Sequence, residues 1–367
     1  MTQTPVSFRT PPMIAFLFIV CCGCTPAERV ENIRPNIIII LADDLGYGEL
    51  GCYGNANIQT PHLDQLAANG LRFTDFHSNG AVCSPTRAAL MTGRYQQRSG
   101  IEGVVYAFGE KREVGLPIAE ETMADLLKEE GYATGLVGKW HLGYRKEFNP
   151  VRQGFDEFVG YVSGNVDYHS HYDGVGIYDW YDKEDSLYEE GYTTDLITQH
   201  SIAFIQRNKD QPFFLYIAHE APHYPFQVRS DPAFRVPGGD PSQVGREGDV
   251  EQKIMRMTEI MDEGIGAVWQ TLKDLDLDQN TLIFFLSDNG GEPRANNSPL
   301  RGHKGHLWDG GHRVPAIAHC PGRIASGVTD QTAMSMDLLP TVLAISGAEA
   351  SGLELDGTDL TPLIFEG

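Results

Sequence analysis

The chain of 367 residues is long enough for one large α/β core or two domains, and its hydrophobic content of 41% is normal for a globular protein. Its formal net charge of −22 argues against nonspecific binding of nucleic acid, which needs a basic surface. An acidic exterior can still hold a local cationic pocket, so the net charge bears on solubility and does not exclude an anionic substrate.

Residues 1–24 are predicted to form an export signal. Arg9 gives the positive start, and residues 13–20 form an apolar run too short to span a bilayer. Gly23-Cys24 is similar to the end of a bacterial lipoprotein signal, in which Cys24 carries the lipid, although Cys21 stands where an aliphatic residue is usual. A lipid anchor at Cys24 and plain cleavage both stay open. Either predicts an exported protein, in the periplasm or on the outer cell surface.

Beyond the signal, the cysteines are Cys52, Cys83 and Cys320. Cys52 and Cys320 can pair if Cys83 is modified, but two separate thiols are the simpler expectation. So few cysteines exclude a disulfide scaffold.

Strands and helices alternate along the chain, a pattern that predicts an α/β fold with helices on both faces of a sheet. The predicted strands cover residues 35–41, 72–76, 133–137, 213–218, 281–286 and 314–318. The predicted helices cover residues 60–70, 83–93, 122–130, 194–207, 250–275 and 337–346. The first strand is a continuous β-branched run, which is typical of a parallel strand buried on both faces.

The segment 155–195 is rich in Tyr, Gly and Asp and has little apolar periodicity, so we interpret it as a long excursion that can form a pocket wall. It contains Asp167, His169, His171 and Asp173. These four residue types can ligate a metal, but we favour a solvated loop.

Four predicted strands are followed by polar residues. These are Asp43 and Asp44, Lys139 and His141, His219 and His223, and Asp288 and Asn289. In open α/β sheets the ligand site lies beyond the carboxyl ends of the strands, so these side chains are expected at one edge. Three carboxylates and an amide carbonyl suit Ca²⁺ or Mg²⁺ and not zinc. The cationic groups can then hold an oxyanion that also touches the metal.

The stretch from Cys83 to Arg94 predicts a helix with Cys83 at its N-terminus, where free N–H groups and the helix dipole favour an anion. Pro85 suits the first turn and Gly93 is a plausible stop. Arg87, four residues after Cys83, adds a fixed cation with fork geometry for oxyanions.

This stretch resembles the signature of the type I sulfatases of the alkaline-phosphatase superfamily, Cys-x-Pro-x-Arg followed by Thr-Gly-Arg. The resemblance covers roughly residues 35–367 as one catalytic domain. It implies a large, mainly parallel or mixed sheet sandwiched by helices. It also implies that a maturation enzyme oxidises Cys83 to Cα-formylglycine, an aldehyde whose hydrate is the nucleophile. Family members usually continue into a smaller C-terminal subdomain, so we expect that this subdomain is truncated here.

The resemblance also assigns roles residue by residue. The implied ligands of the divalent cation are Asp43, Asp44, Asp288, Asn289 and the formylglycine oxygen derived from Cys83. Arg87 is expected to steady the hydrate, and Lys139 and His141 match the family's Lys-x-His. His223 and Lys304 match residues that contact the sulfate, and either can protonate the leaving alcohol, whereas His141 is the candidate base. His219 is kept as a further substrate contact.

The leading interpretation is an exported sulfuric ester hydrolase acting on a sulfated carbohydrate or aryl sulfate. Residues 138–143 and 221–225 also resemble enzymes that desulfate amino-sugar polysaccharides, including N-acetylgalactosamine-6-sulfatases. One alternative is a phosphonate or phosphodiester hydrolase of the same superfamily. Another is a non-catalytic lipoprotein that binds sulfated glycans with Cys83 unconverted.

Overall fold

The structure, a computed structural model, describes residues 1–7, 34–237, 245, 248–350 and 352–366. The chain divides into two compact units, Met1–Ile33 and Arg34–Gly367. Residues 1–7 of the first unit are exposed and have no regular secondary structure, and the predicted export signal with Arg9 and Cys24 otherwise lies outside the described residues. Among the helices in the described parts, none combines the length and the apolar character needed to cross a bilayer.

The second unit is a sheet between two layers of helices. The strands are β1 (Asn36–Ala42), β2 (Leu71–His77), β3 (Ala133–Lys139), β4 (Glu157–Tyr161), β5 (Tyr181–Asp182), β6 (Asp185–Ser186), β7 (Phe213–Ala218), β8 (Thr281–Ser287), β9 (Arg313–His319), β10 (Gly327–Thr329) and β11 (Ala333–Met334). The helices are α1 (Pro61–Ala68), α2 (Cys83–Thr92), α3 (Met123–Glu129), α4 (Thr193–Asn208), α5 (Val250–Asp274), α6 (Asp309–His312) and α7 (Leu338–Ser346).

The described residues form one mixed sheet with the strand order β10-β2-β9-β8-β1-β7-β3-β4-β5-β6, and β11 pairs with β2. At its centre β8, β1, β7 and β3 are parallel neighbours, whereas β9 is antiparallel to both β8 and β2. These four central strands are the ones whose carboxyl ends carry the predicted polar residues. The predicted α/β class and the large mixed sheet are therefore confirmed.

Strand β1 shows why this sequence builds a sheet covered on both faces. Ile37, Ile39 and Leu41 pack on the side of α2, α3 and α7, and Ile38 and Ile40 pack on the side of α1, α4 and α5. All five side chains are at most 1% exposed. Full burial of one such side chain stabilises a fold by about 1.5–3 kcal/mol, so this run favours the centre of the sheet over an edge.

The long excursion is built differently from the expectation. Asp167, His171 and Asp173 are buried, so the prediction of a solvated loop is wrong. The Asp167 carboxylate accepts backbone N–H groups from His169, Ser170, Phe234 and Arg235. Polar side chains here accept hydrogen bonds from the backbone N–H groups of an irregular buried segment. Composition alone does not distinguish such buried polar side chains from polar side chains that face solvent. Among the described residues, the one group with metal-ligand spacing includes none of the four candidates from this segment.

The cysteines agree with the simpler expectation. Cys52 and Cys320 are free thiols, Cys320 buried and Cys52 partly exposed.

Candidate active site

The site lies beyond the carboxyl ends of β1, β3, β7 and β8. Asp43 and Asp44 follow β1 directly, Lys139 is the last residue of β3, and Asp288 follows β8. Asp44 and His141 have left-handed backbone φ angles of 63° and 58°. Such a conformation costs a non-glycine residue about 1–3 kcal/mol and persists where the surroundings enforce it, often at functional sites.

Cys83 is the first residue of α2, and its side chain is buried between opposite charges. Its Sγ lies 3.4 Å from Asp43 Oδ1 and 3.5 Å from Lys304 Nζ. Burial, followed by the nearby carboxylates of Asp288 and Asp43, raises the pKa of this thiol far above its usual range. Cys83 is therefore a neutral thiol at pH 7 and is a weak nucleophile as it stands.

Arg87 is fully buried and is wholly engaged by the protein. Its Nε and Nη2 donate to one Asp288 oxygen at 3.1 and 2.8 Å, and its Nη1 donates to the Lys139 carbonyl at 3.0 Å. Its Nη2 also lies 3.9 Å from Asp43 Oδ1. Arg87 therefore ties the end of β8 to the end of β3 and partly neutralises two site carboxylates.

Lys139 and Lys304 each hold one aspartate of the Asp43-Asp44 pair. Lys139 Nζ lies 2.5 Å from Asp43 Oδ2, and the side chain is fully buried. Lys304 Nζ lies 2.6 Å from Asp44 Oδ1, and 20% of its side chain is exposed. Burial acts to lower the pKa of both ammonium groups, but the paired aspartates raise it. Lys304 lines the cavity described below and Lys139 does not, so Lys304 is the cation accessible to a ligand.

Two histidines face the cavity with one ring nitrogen fixed and the other available. A carbonyl oxygen only accepts, so His141 Nε2–H donates to Val105 O at 2.9 Å, and Nδ1 is left buried without a partner. His223 Nδ1–H donates to Tyr224 O at 2.6 Å, so Nε2 faces the site. Burial holds the pKa of both imidazoles well below its usual value, and both rings are neutral at pH 7.

His219 is different. Its side chain is buried, it does not line the cavity, and burial lowers its pKa to about 3. The predicted substrate contact of His219 therefore has no support in the geometry.

The donor set suits a divalent cation. Ligand atoms of Asp43, Asp44, Cys83 and His223 all lie within 4.8 Å of one another, a spread expected of ligands that share one ion at about 2.3–2.6 Å. His223 Nε2 lies 3.6 Å from Asp44 Oδ2, so these two atoms are close enough to share one ion. His223 was not among the predicted ligands.

Asp288 and Asn289 complete this picture. Burial and the neighbouring Asp43 raise the pKa of Asp288 to about 6, although Arg87 and Lys139 act to lower it. The Asn289 Oδ1 is buried without a hydrogen-bond partner, which leaves an amide oxygen free to act as a ligand. For Asp44, burial acts to raise the pKa, but the Lys304 ammonium outweighs it and the pKa is lowered to about 2.

A cavity of about 510 Å³ opens onto this cluster. Cys83, His141, His223 and Lys304 line one part of its wall, and residues of the long excursion line another, including Asn165. Sequence reasoning predicted the excursion as a wall but missed Arg235 and the loop 104–108, which also line the cavity. Neither has a sequence motif, and the exposed aromatic residues Tyr106 and Phe108 of that loop give a weak signal of a ligand surface.

A hard-cation donor set beside lysine ammonium groups, at the carboxyl edge of this type of sheet, belongs to the class of hydrolases that cleave esters of oxyanions. The sequence profile of the family described as Sulfatase matches residues 35–348. Arylsulfatase A of Bos taurus is 38% identical over 374 residues, which cover 90% of this chain and 68% of that enzyme. N-acetylgalactosamine-6-sulfatase of Homo sapiens is 37% identical, with 91% and 66% covered. The chain belongs to the sulfatase family, a family of sulfuric ester hydrolases.

Solved structures agree. Ps i-CgsB, solved in complex with k-i-k-neocarrahexaose, superposes with a TM-score of 0.80 at 34% identity, covering 90% of this chain and 76% of that chain. Phosphonate monoester hydrolase of Agrobacterium radiobacter has a TM-score of 0.65 at 22% identity, with 91% and 78% covered, and this likeness concerns the fold alone. The predicted alkaline-phosphatase-like architecture is confirmed.

Proposed function

We propose that the protein is an exported sulfatase that removes sulfate from a sulfated glycan, using a formylglycine made from Cys83 and a divalent cation, Ca²⁺ or alternatively Mg²⁺. The observation that carries this proposal is the setting of Cys83. A buried thiol whose pKa is raised by two carboxylates is unsuited to thiolate chemistry, yet it stands at the centre of the cluster. An oxygen-bearing side chain at position 83 suits these neighbours better.

The proposed maturation replaces the Cβ–Sγ bond of Cys83 by a carbon–oxygen double bond, catalysed by a dedicated enzyme. Dioxygen takes two electrons from Cys83 and two from an external thiol reductant, so one oxygen atom enters the aldehyde, the other leaves as water, and the sulfur leaves as hydrogen sulfide. When hydrated, the aldehyde supplies an oxygen nucleophile for the sulfur atom and a second hydroxyl that releases sulfate. Asp43 and Lys304, which contact Sγ, offer an acceptor and a donor for those hydroxyls.

Asp43, Asp44, Asp288 and Asn289 would hold the cation, together with an oxygen of residue 83. The bound cation would supply charge that stabilises anionic oxygens of the ester and of the nucleophile. Arg87 and Lys139 support these ligands from behind, because both are fully buried and bonded to Asp288 and Asp43.

Lys304 and His223 are placed to bind the sulfuryl oxygens, since both line the cavity next to Cys83. Burial keeps His223 neutral while Lys304 retains its proton, so Lys304 is the favoured donor to the leaving alcohol. The free His141 Nδ1 is the favoured proton acceptor when the second hydroxyl releases sulfate.

A glycan substrate is supported by the cavity and by the relatives. A volume of about 510 Å³ is within the usual range for ligand pockets, roughly 300–1,000 Å³. Phe108, 62% exposed, adds an apolar surface at its wall. The similarity to N-acetylgalactosamine-6-sulfatase and to a neocarrahexaose-bound structure favours a sulfated saccharide. Export and the possible lipid at Cys24 are supported by the sequence of residues 1–24.

The test uses protein that is co-expressed with the maturation enzyme. Its activity is assayed on 4-nitrophenyl sulfate and 4-nitrophenyl phosphate, and the peptide that contains Cys83 is analysed by mass spectrometry. We expect sulfate release to exceed phosphate release, and a mass loss of about 18 Da on conversion of the thiol to the aldehyde. Cys83→Ala is expected to abolish turnover and to keep the fold and the cation site, whereas the control Cys52→Ala keeps activity. Turnover by Cys83→Ala near the wild-type rate would refute the assigned nucleophile, and preferential phosphate release would favour the phosphoesterase alternative.

Export has its own test, the mass of the mature N-terminus from cells that process lipoproteins. A lipid-modified Cys24 supports the anchor, and an unmodified N-terminus near residue 24 supports plain cleavage. An intact Met1 in the mature protein would contradict export.

A further inference from the structure

Arg235 is a buried cation in the cavity wall that the proposed reaction does not use. Its side chain lines the same cavity as Cys83 and Lys304, and the residue is 2% exposed. Toward the described residues the guanidinium makes one hydrogen bond, from Nη1 to the Tyr172 carbonyl at 3.2 Å. Its Nε and Nη2 are buried and have no hydrogen-bond partner in the described part of the chain.

Glu220, Asp167 and Asp173 offset the burial of this charge only in part, because burial still lowers the pKa of Arg235. Burial also raises the pKa of Glu220 well above its usual value, and its Oε2 has no hydrogen-bond partner among the described residues. The Asp167 carboxylate binds backbone N–H groups, including that of Arg235 itself. A buried guanidinium with two unused donors is strongly unfavourable unless an acceptor binds those donors. A ligand in the cavity that Arg235 lines could supply that acceptor.

Asn165 stands in the same wall and is also incomplete. Its Oδ1 is buried and has no hydrogen-bond partner. An unused amide oxygen can accept a hydrogen bond from a hydroxyl or amide, and a guanidinium with unused donors can bind an anion. A sugar that carries both kinds of group can therefore use both side chains of this cavity. Lys304 and His223 line the cavity elsewhere, so a sugar whose scissile sulfate lies on those two groups presents its other substituents to the remaining wall.

We propose that Arg235 forms a second anion subsite, which binds a carboxylate or an additional sulfate on the sugar that carries the scissile ester, while Asn165 Oδ1 accepts from a neighbouring hydroxyl or amide of that sugar. The preferred substrates are then doubly anionic saccharides. This inference rests on the proposed function, because it takes the Cys83 cluster as the place of the scissile sulfate. The competing role for Arg235 is purely structural, as an anchor of the excursion through Tyr172.

The first test measures binding by calorimetry to Cys83→Ala protein, so that neither maturation nor turnover is required. The probes are matched pairs: N-acetylglucosamine 6-sulfate with glucosamine 2-N,6-O-disulfate, galactose 6-sulfate with galactose 2,6-disulfate, and galactose 4-sulfate with galactose 2,4-disulfate. In at least one pair we expect the doubly charged sugar to bind about 10- to 100-fold more tightly, as for a hydrogen bond between charged groups. Absence of such a preference in every pair would overturn the proposal.

The second test repeats the pairs with Arg235→Gln and Asn165→Ala. Arg235→Gln is expected to remove the preference for the doubly charged sugar, and Asn165→Ala to reduce it by a smaller factor. The matched control is Arg229→Gln, an exposed arginine paired with Asp195 and Glu263, which is expected to keep the preference. Equal loss of affinity for both members of each pair would assign Arg235 a structural role and refute the subsite.

Folding and function are separated as follows. If Arg235→Gln does not give a cooperative thermal transition, Arg235→Lys replaces it, and a full wild-type preference in that variant contradicts a bidentate guanidinium contact. Failure of the proposed function shows instead in the sulfate-release assay, where no aryl or sugar sulfate would be cleaved even by protein that keeps the binding preference.

Discussion

Replacing Arg87 by Met tests whether one buried guanidinium holds the centre of the site together. Arg87 donates two hydrogen bonds to Asp288 and one to the Lys139 carbonyl, with no exposed surface. Removing one partner of a buried pair leaves an uncompensated charge and costs about 3–5 kcal/mol. We therefore expect Arg87→Met to lower the free energy of unfolding by that amount, which is a large share of the about 5–15 kcal/mol that stabilises a typical domain.

The assay is urea unfolding at pH 7 in excess chelator, because a bound cation would stabilise the folded state and mask the change. The control is Arg256→Met, since Arg256 is exposed and pairs with Glu259 and Glu263 on the surface. Such surface pairs contribute about 0–1 kcal/mol.

A double-mutant cycle isolates the pair itself. Arg87→Met combined with Asp288→Asn should recover about 2 kcal/mol relative to the sum of the single changes, because it removes both charges. A loss below about 1 kcal/mol for Arg87→Met, or full additivity in the cycle, would refute the view that Arg87 compensates a buried carboxylate.

Three further outcomes are expected. Lys304→Met should lower kcat/KM for aryl sulfates by about 10²–10³-fold, as for loss of one transition-state donor, and a loss below about threefold would argue against its sulfate contact. EDTA should stop sulfate release and lower Tm, and Ca²⁺ should restore both, whereas unchanged activity and Tm would contradict a cation site. Burial lowers the pKa of His171 to about 4, so the folded state binds fewer protons than the unfolded state. Stability should therefore fall by about 3 kcal/mol as pH drops from about 6.5 to 4, and His171→Asn should flatten that part of the pH profile in urea unfolding; an unaltered slope would contradict it.

The central strands and the polar residues that directly follow them were predictable, because each is indicated by a short stretch of neighbouring residues. A β-branched run such as Ile37–Ile40 indicates a strand buried on both faces. The carboxylates directly after it are costly to bury without positively charged partners, so they indicate a polar site at the end of the strand. Cys83 at the start of α2 followed from Pro85 and Gly93, both of which the structure uses as expected.

The rest depends on contacts between distant parts of the chain. Arg235 reaches the cavity because its backbone N–H binds Asp167, 68 residues earlier, and no spacing rule reports that pairing. His219 matched the local pattern of a strand end, yet its side chain does not line the cavity. Likewise Asp167 has the composition of a solvated loop but the environment of a core. The sequence shows which side chains are polar, but it does not show which group each polar side chain bonds to in the folded protein.

The central strands also constrain the order in which the protein can acquire its site. Strand β1 pairs with β8 in a parallel register that begins at Asn36 and Thr281, whose side chains bond across 245 positions of the chain. Contacts of such separation form slowly, because a long loop must close before they contribute. During synthesis, Asp43 and Asp44 are therefore made long before Asp288 and Lys304. A ribosome-bound chain that ends before Asp288 has the nucleophile position and two of the three carboxylates but no complete site.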